Sequence, residues 1–301
     1  MTRKIKTLLP VNRVEGDLDI SLTIEDHTVV DAKAQGTMFR GIENVMTGRG
    51  PLDGLVITPR VCGICTTSQL YGAAKALDMA FGASVPDNGR RVRNITLMVE
   101  QIQNDMRHTF LLFMPDATNR AYSKAPFFDE AKRRYEPMMG DASIEVVRET
   151  KKLLEIIAVL GGQWPHSSFM VPGGVVCQPS PGDILICRHL LRNFRRWYEQ
   201  KVLGCSMDRW LEVETVSDLD RWLNESRPCK ESELGFFIDF CKLAGLDRKG
   251  GGHHNFISFG SLEMPEKTVV SPGPEKGFLI ASGFFKDGKK MNFSQVQITE
   301  D

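Results

Sequence analysis

No stretch of this sequence approaches the roughly 20 consecutive apolar residues that a membrane-spanning helix needs, so no bilayer span is predicted. An apolar signal core is lacking as well. Met1-Thr2-Arg3-Lys4-Ile5-Lys6 carries three positive charges, yet only a few apolar residues follow before polar sequence resumes at Asn12. A secretory signal is therefore not expected, and the default compartment is cytoplasmic. Net charge is missing too, because 38 basic residues balance 38 acidic ones. That balance gives no electrostatic reason to bind nucleic acid or an anionic membrane. It also removes the mutual repulsion that keeps proteins apart, which suits association with another subunit. The seven cysteines are an odd number and mostly scattered. Cys177, Cys187, Cys205, Cys229 and Cys241 read as buried or half-buried thiols, a pattern that fits a reducing compartment better than a disulfide scaffold. Internal repeats and low-complexity tracts are absent.

What remains is the composition of an ordinary folded protein, 42% hydrophobic and 25% charged. A chain of 301 residues can bury a substantial core, as one large domain or two smaller ones. Between residues 11 and 40, Val14, Leu18, Ile20, Leu22 and Ile24 alternate with polar residues, a period of two that predicts a β-meander turning at Glu25-Asp26-His27. From about Gly63 the period lengthens. Leu70, Ala73, Ala74, Leu77 and Ala80 form one helical stripe that ends near Gly82. A long helix is expected after Pro86-Asp87, with Val92, Ile95, Val99, Ile102, Met106 and Phe110 on one face. Another starts at Asp141, with Ile144, Val147, Leu154 and Ile157 inward, and more are expected at 182–202, 217–225 and 232–244. Turn-rich sequence at 161–183 is longer than ordinary connections, which points to function or an interface. The tail from 267 reverts to strands, with Phe278-Leu279-Ile280-Ala281 and a hairpin turn at Asp287-Gly288. The expected fold class is mainly α with small antiparallel β elements, an α+β protein with a helical core at about 65–245 and a β-rich tail at about 267–301.

The strongest chemical feature is Arg60-Val61-Cys62-Gly63-Ile64-Cys65-Thr66-Thr67-Ser68. Two cysteines three apart can present both sulfurs to one metal ion. They sit where a Pro/Gly-punctuated loop enters a helix, and helix amides with a nearby arginine favour the thiolate. Taken alone, the spacing fits a chance pair, half of a structural zinc site, or a redox dithiol. Zinc needs four ligands, and neither a second Cys-x-x-Cys nor a His-x-x-x-His occurs. The single cysteines and His253-His254 would have to assemble at long range. A thioredoxin-like dithiol expects a βαβ setting, whereas a run of helices follows here. The economical reading is half of a soft-metal site.

The surrounding words narrow it. Arg13-Val14-Glu15-Gly16, Phe39-Arg40-Gly41-Ile42-Glu43, Gly48-Arg49-Gly50-Pro51 and Arg60-Val61-Cys62-Gly63-Ile64-Cys65 occur in the order of the nickel–iron hydrogenase large subunit. Gly161-Gly162-Gln163-Trp164-Pro165-His166, Pro172-Gly173-Gly174-Val175, His254-Asn255-Phe256-Ile257-Ser258-Phe259-Gly260 and Ile298-Thr299-Glu300-Asp301 also resemble that family. The resemblance covers essentially the whole of 1–301, as the amino-terminal part of such a subunit with an incomplete helical core. It implies that Cys62 is a terminal nickel ligand and Cys65 a thiolate bridging nickel and iron, in a Ni–Fe centre whose iron carries diatomic ligands. It implies that Glu15 passes protons between a nickel-bound thiolate and the interior, and that Glu43 is a ligand of a magnesium site. Arg60 would support the pair electrostatically, and His166 would lie in the loop facing an iron–sulfur cluster of the small subunit.

The departures matter as much. Gln69 stands where the family usually places histidine after the second cysteine, so it can hydrogen-bond but not carry positive charge. Asp17 follows the Arg-Val-Glu-Gly word in place of another histidine. Asn104 and Asp105 both match one acidic position, and neither is assigned. The family's Asp-Pro-Cys-x-x-Cys word, which supplies the other two thiolates, does not occur in these residues. The resemblance therefore implies a carboxyl-terminal partner chain carrying the second cysteine pair, from a split gene or a truncation. It also implies a small subunit holding the iron–sulfur clusters and a membrane or electron-acceptor subunit, through which the chain would be membrane-associated. The expected activity is reversible H2 oxidation, uptake-type. The alternatives are an H2-sensing regulatory protein, or a metal-free relative with a structural or quinone-oxidoreductase role, against which Cys62 and Cys65 argue.

Overall fold

Alternating apolar and polar residues build the amino-terminal sheet of the computed structural model, which describes residues 4–11, 16–249, 254–263 and 278–292. Strands β1 (Lys4–Val11), β2 (Leu18–Glu25) and β3 (Thr28–Gly36) pair antiparallel in that order. Leu8 lies opposite Ser21 and Leu22 opposite Ala32. The β2–β3 turn is made by Asp26 and His27, both at positive φ, 46° and 67°, the conformation that two-residue hairpin loops favour. The sheet thus begins with a strand at Lys4, ahead of the meander expected from residue 11.

The chain then turns helical. Short helices α1 (Ile42–Met46) and α2 (Gly54–Ile57) lead to α3 (Thr66–Phe81) and α4 (Asp87–Arg107). Next come α5 (Phe128–Tyr135), α6 (Asp141–Gly161), the two-residue strands β4 (Met170–Val171) and β5 (Gly174–Val175), and α7 (Pro181–Trp197). Helices α8 (Met207–Trp210), α9 (Val216–Glu225), α10 (Arg227–Glu231) and α11 (Glu233–Leu243) follow. Strands β6 (Asn255–Glu263), β7 (Phe278–Lys286) and β8 (Lys289–Met291) form a third antiparallel sheet. The fold is mainly helical with small antiparallel sheets.

Helix limits follow local chemistry. Gly82 ends α3 in the left-handed conformation, φ 61°. Ser180 and Asp183 form a reciprocal capping box on α7, and Thr215 and Asp218 form one on α9. In the core, α6 packs between α4 and α7. Leu70, Ala74 and Leu77 of α3 are buried, as are Val92, Val99 and Met106 of α4; Phe110 continues that stripe one turn later. Ala80 and Ile95 lie on exposed faces instead. Leu154 and Ile157 of α6 are buried as expected, but Ile144 and Val147 are 48% and 42% exposed. The inward face runs through Val146, Leu153, Ile156 and Leu160. This helix is apolar on two sides, so helical spacing fits either stripe, and only packing against α4 and α7 selects one.

Two polar contacts place the site. Arg93, 1% exposed, forms an ion pair with Asp78 at 2.6 Å and donates to the Val171 and Gly174 carbonyls at 2.7 and 3.0 Å. Asp78 also accepts the Gly173 N–H at 2.8 Å. The Pro172-Gly173-Gly174 turn is thereby fixed on α3 and α4. At the other end, Asn94 exchanges two hydrogen bonds with the Glu263 backbone, and Lys75 bridges the Glu263 carboxylate at 3.5 Å. These contacts dock β6 on the same two helices; its strand character was not anticipated. The hairpin turn at Asp287-Gly288 is present, with φ 48° and 76°. The expected tail residues 267–277 and 293–301 lie outside the described residues.

Candidate metal centre

The cysteine loop is a series of tight turns. Pro51–Asp53 and Thr58–Arg60 form single 3-10 turns around α2, and the chain then crosses Val61 to Cys65 and enters α3. The Thr58 hydroxyl donates to the Gly54 carbonyl at 2.8 Å and Thr66 Oγ1 to the Pro59 carbonyl at 2.9 Å, which ties the loop to itself. Cys62 and Cys65 are half-buried, their Cα atoms 5.5 Å apart, and their sulfurs are joined as a disulfide. Cys62 Sγ also accepts the Cys65 N–H at 3.1 Å. Metal binding uses the reduced, thiolate form of such a pair.

The 161–183 segment closes over the loop. Gly161 passes so near Phe169 that an added Cβ would lie 2.5 Å from the ring, so only glycine fits there. Beyond it, the Trp164–Pro165 peptide is cis and His166 adopts φ 63°. The His166 N–H donates to Thr66 Oγ1 at 3.1 Å, and its Nδ1 lies 2.8 Å from the Pro59 carbonyl. His166 therefore rests directly against the cysteine loop.

The remaining predicted residues are placed less centrally. Arg60 is exposed, and its guanidinium donates to the Val56 carbonyl. The guanidinium that touches the loop backbone beside the pair is that of Arg40, on the Val61 carbonyl. Glu43 is exposed in the first turn of α1. Gln69 is half-buried, its backbone carbonyl accepting from Thr58. Asp105 faces outward from α4, and partial burial raises its carboxyl pKa. Glu15 and His253 lie outside the described residues.

One side chain at the loop was missed. Glu100 of α4 is 0% exposed and accepts the Thr67 and Ser68 N–H groups at 2.7 Å each, plus the Ser68 hydroxyl at 2.9 Å. One turn further along α4, Gln103 is also 0% exposed, with neither amide atom partnered among the described residues. The sequence signals that both are buried, though not which partner either would meet. The apolar stripe of α4 is flanked by Asn94, Glu100 and Gln103, polar residues on an otherwise inward face.

Two adjacent soft sulfurs can hold one edge of a soft-metal centre. They do not fill it, since no group of three or more His, Cys, Asp or Glu able to hold a metal occurs among the described residues. The donor chemistry fits part of a soft-metal site. Also among the described residues, no helix is long and apolar enough to cross a membrane.

The chain resembles known proteins in sequence and in fold. Residues 40–121 match the family described as nickel-dependent hydrogenase. The chain is 34% identical over 189 residues to the periplasmic [NiFeSe] hydrogenase large subunit of Desulfomicrobium baculatum, covering 58% of this chain and 37% of that protein. It is 29% identical to the hydrogenase-2 large chain of Escherichia coli K12, covering 57% and 32%. The uptake hydrogenase large subunit of Azotobacter chroococcum aligns at 23% identity over 93% of this chain and 51% of that protein. Among solved structures, the reduced Ni-Fe-Se hydrogenase of D. vulgaris Hildenborough superposes with a TM-score of 0.67 at 24% identity, over 97% of this chain and 55% of that one. The chain spans between about a third and about half the length of the relatives it matches. Residues 40–121 are thus similar to a nickel-dependent hydrogenase domain, and the chain has the fold of the amino-terminal part of a hydrogenase large subunit.

Proposed function

We propose that this chain supplies half of a nickel–iron centre for reversible H2 oxidation, with Cys62 as terminal nickel ligand and Cys65 as the bridge between nickel and iron. The observation that supports this most is the adjacency of the two sulfurs at the start of α3, inside the matched domain. The remaining two thiolates would come from a carboxyl-terminal polypeptide that carries the second cysteine pair. Such a centre, when bound, supplies the splitting of H2 and the storage of its electrons.

The chain's own residues then have distinct tasks. The pair holds and orients the metals from a loop pinned by Thr66 and His166 on one side and by α4 on the other. Glu15 would take a proton from the thiolate region and pass it inward, a general acid–base task that suits a carboxyl group. Glu43 would bind magnesium at a separate site. Arg60 and the neighbouring Arg40 add positive charge beside the thiolates. His166 would line the path towards iron–sulfur clusters in a small subunit, which would carry the electrons away in the uptake direction. The assembly would be cytoplasmic, or membrane-associated through its partners. Replacing Glu15 with Gln should reduce H2 turnover of the assembled enzyme nearly to background while nickel content stays unchanged. Full turnover in that variant would reject the proton role.

A further inference from the structure

Glu100 is a buried charge for which the proposed reaction has no use. Its carboxylate is 0% exposed, and no lysine or arginine bridges it among the described residues. A carboxylate withdrawn from water is unfavourable unless hydrogen bonds replace its hydration. Here the replacements are the Thr67 and Ser68 N–H groups and the Ser68 hydroxyl, all in the first turn of α3. Those backbone donors are the ones a helix N-cap side chain ordinarily satisfies. The N-cap residue of α3 is Cys65, whose side chain makes no capping bond. Serine, asparagine or aspartate at that position would cap the helix, but none of them brings a sulfur.

We propose that Glu100 caps α3 from the neighbouring helix, leaving the Cys65 sulfur for a ligand, and that this cap positions the Cys62–Cys65 pair. Glu100 is a positioning residue, acting through the first turn of α3. It complements the clamp on the opposite side, where Thr66 joins Pro59 to His166. Its negative charge also sits at the positive end of the helix dipole, which favours the arrangement. The purpose assigned to the cap rests on the reading of Cys62 and Cys65 as metal thiolates; the capping contact does not.

The test uses the full chain and no metal. In glutathione buffers, the Cys62–Cys65 disulfide plus two glutathione thiols exchanges with the dithiol plus oxidised glutathione. The equilibrium is read by alkylation and peptide mass analysis, alongside hydrogen exchange of the amides in residues 66–69. Glu100→Gln keeps the side-chain volume but turns a donor towards two donors. It should speed that exchange and lower the stability of the disulfide about tenfold, or about 30 mV, because an uncapped loop holds the two thiols together less well. Glu100→Asp, which keeps the carboxylate one methylene short, should recover part of both effects and serves if the Gln variant does not fold. Leu153→Ala, in the core of α6, should lower overall stability yet leave the disulfide equilibrium at its wild-type value. An unchanged equilibrium in both Glu100 variants, or an equal shift in Leu153→Ala, would overturn the proposal. Neither readout involves nickel or H2, so a chain that never loads nickel would defeat the functional reading and leave this one standing.

Discussion

At the scale of single residues, Arg93 and Asp78 carry the most consequence. Their ion pair is almost entirely out of water, at 1% and 12% side-chain exposure, and it also holds the 172–174 turn. Asp78→Asn should leave the guanidinium buried without its counter-charge and destabilise the chain by about 3 kcal/mol, measured by urea denaturation. Glu130 makes a different prediction. Hydrogen bonds from Arg133 and then Arg134 hold its carboxyl down at about 2, from an ordinary 4.5. A depressed carboxylate stabilises the fold above its unfolded pKa and loses that contribution as pH falls through its folded pKa. The stability difference between the wild type and Glu130→Gln should therefore be present at neutral pH and vanish between about pH 4.5 and about pH 2. Its size should be small, since Glu130 is 39% exposed and solvent screens the pair. A difference that persists at the acid end would contradict the assignment. The cysteine pair was legible from sequence because its spacing is local. Arg40 and Glu100 were not, because each meets the loop from a distant position, and nothing in a linear word announces which buried carboxylate will find which helix terminus.

At the scale of elements, the helices were legible wherever a cap and a period agreed. The stop at Gly82, the start after Pro86-Asp87 and the box at Ser180-Asp183 are all local chemistry. Faces were harder. Ile144 and Val147 share helical spacing with buried residues of α6, yet they point outward, because a helix apolar on two sides needs neighbours to choose between them. The consequence is measurable. Ile144→Ser should change stability by no more than about 0.5 kcal/mol. Leu153→Ala should cost about 2–5 kcal/mol, as a large side chain leaves a packed site. Equal losses at the two positions would mean that the inward face has been misassigned. Strand β6 escaped notice for a related reason: its docking relies on Asn94 and Lys75, more than 160 residues away in the chain.

At the scale of the molecule, the family words and the fold agree on a large-subunit architecture, while the chain spans about a third to a half of its relatives. Two thiolates at the head of α3 are half of what a nickel–iron centre takes. The central claim is the proposal that Cys62 and Cys65 bind nickel only together with two further thiolates. The most direct measurement is elemental analysis of the chain purified alone and together with a partner bearing Asp-Pro-Cys-x-x-Cys, in wild-type and Cys62→Ser forms. The account predicts about one nickel per wild-type complex, and none in the lone chain or the Cys62→Ser complex. Zinc in place of nickel, or a nickel-free complex with both cysteines intact and reduced, would contradict it.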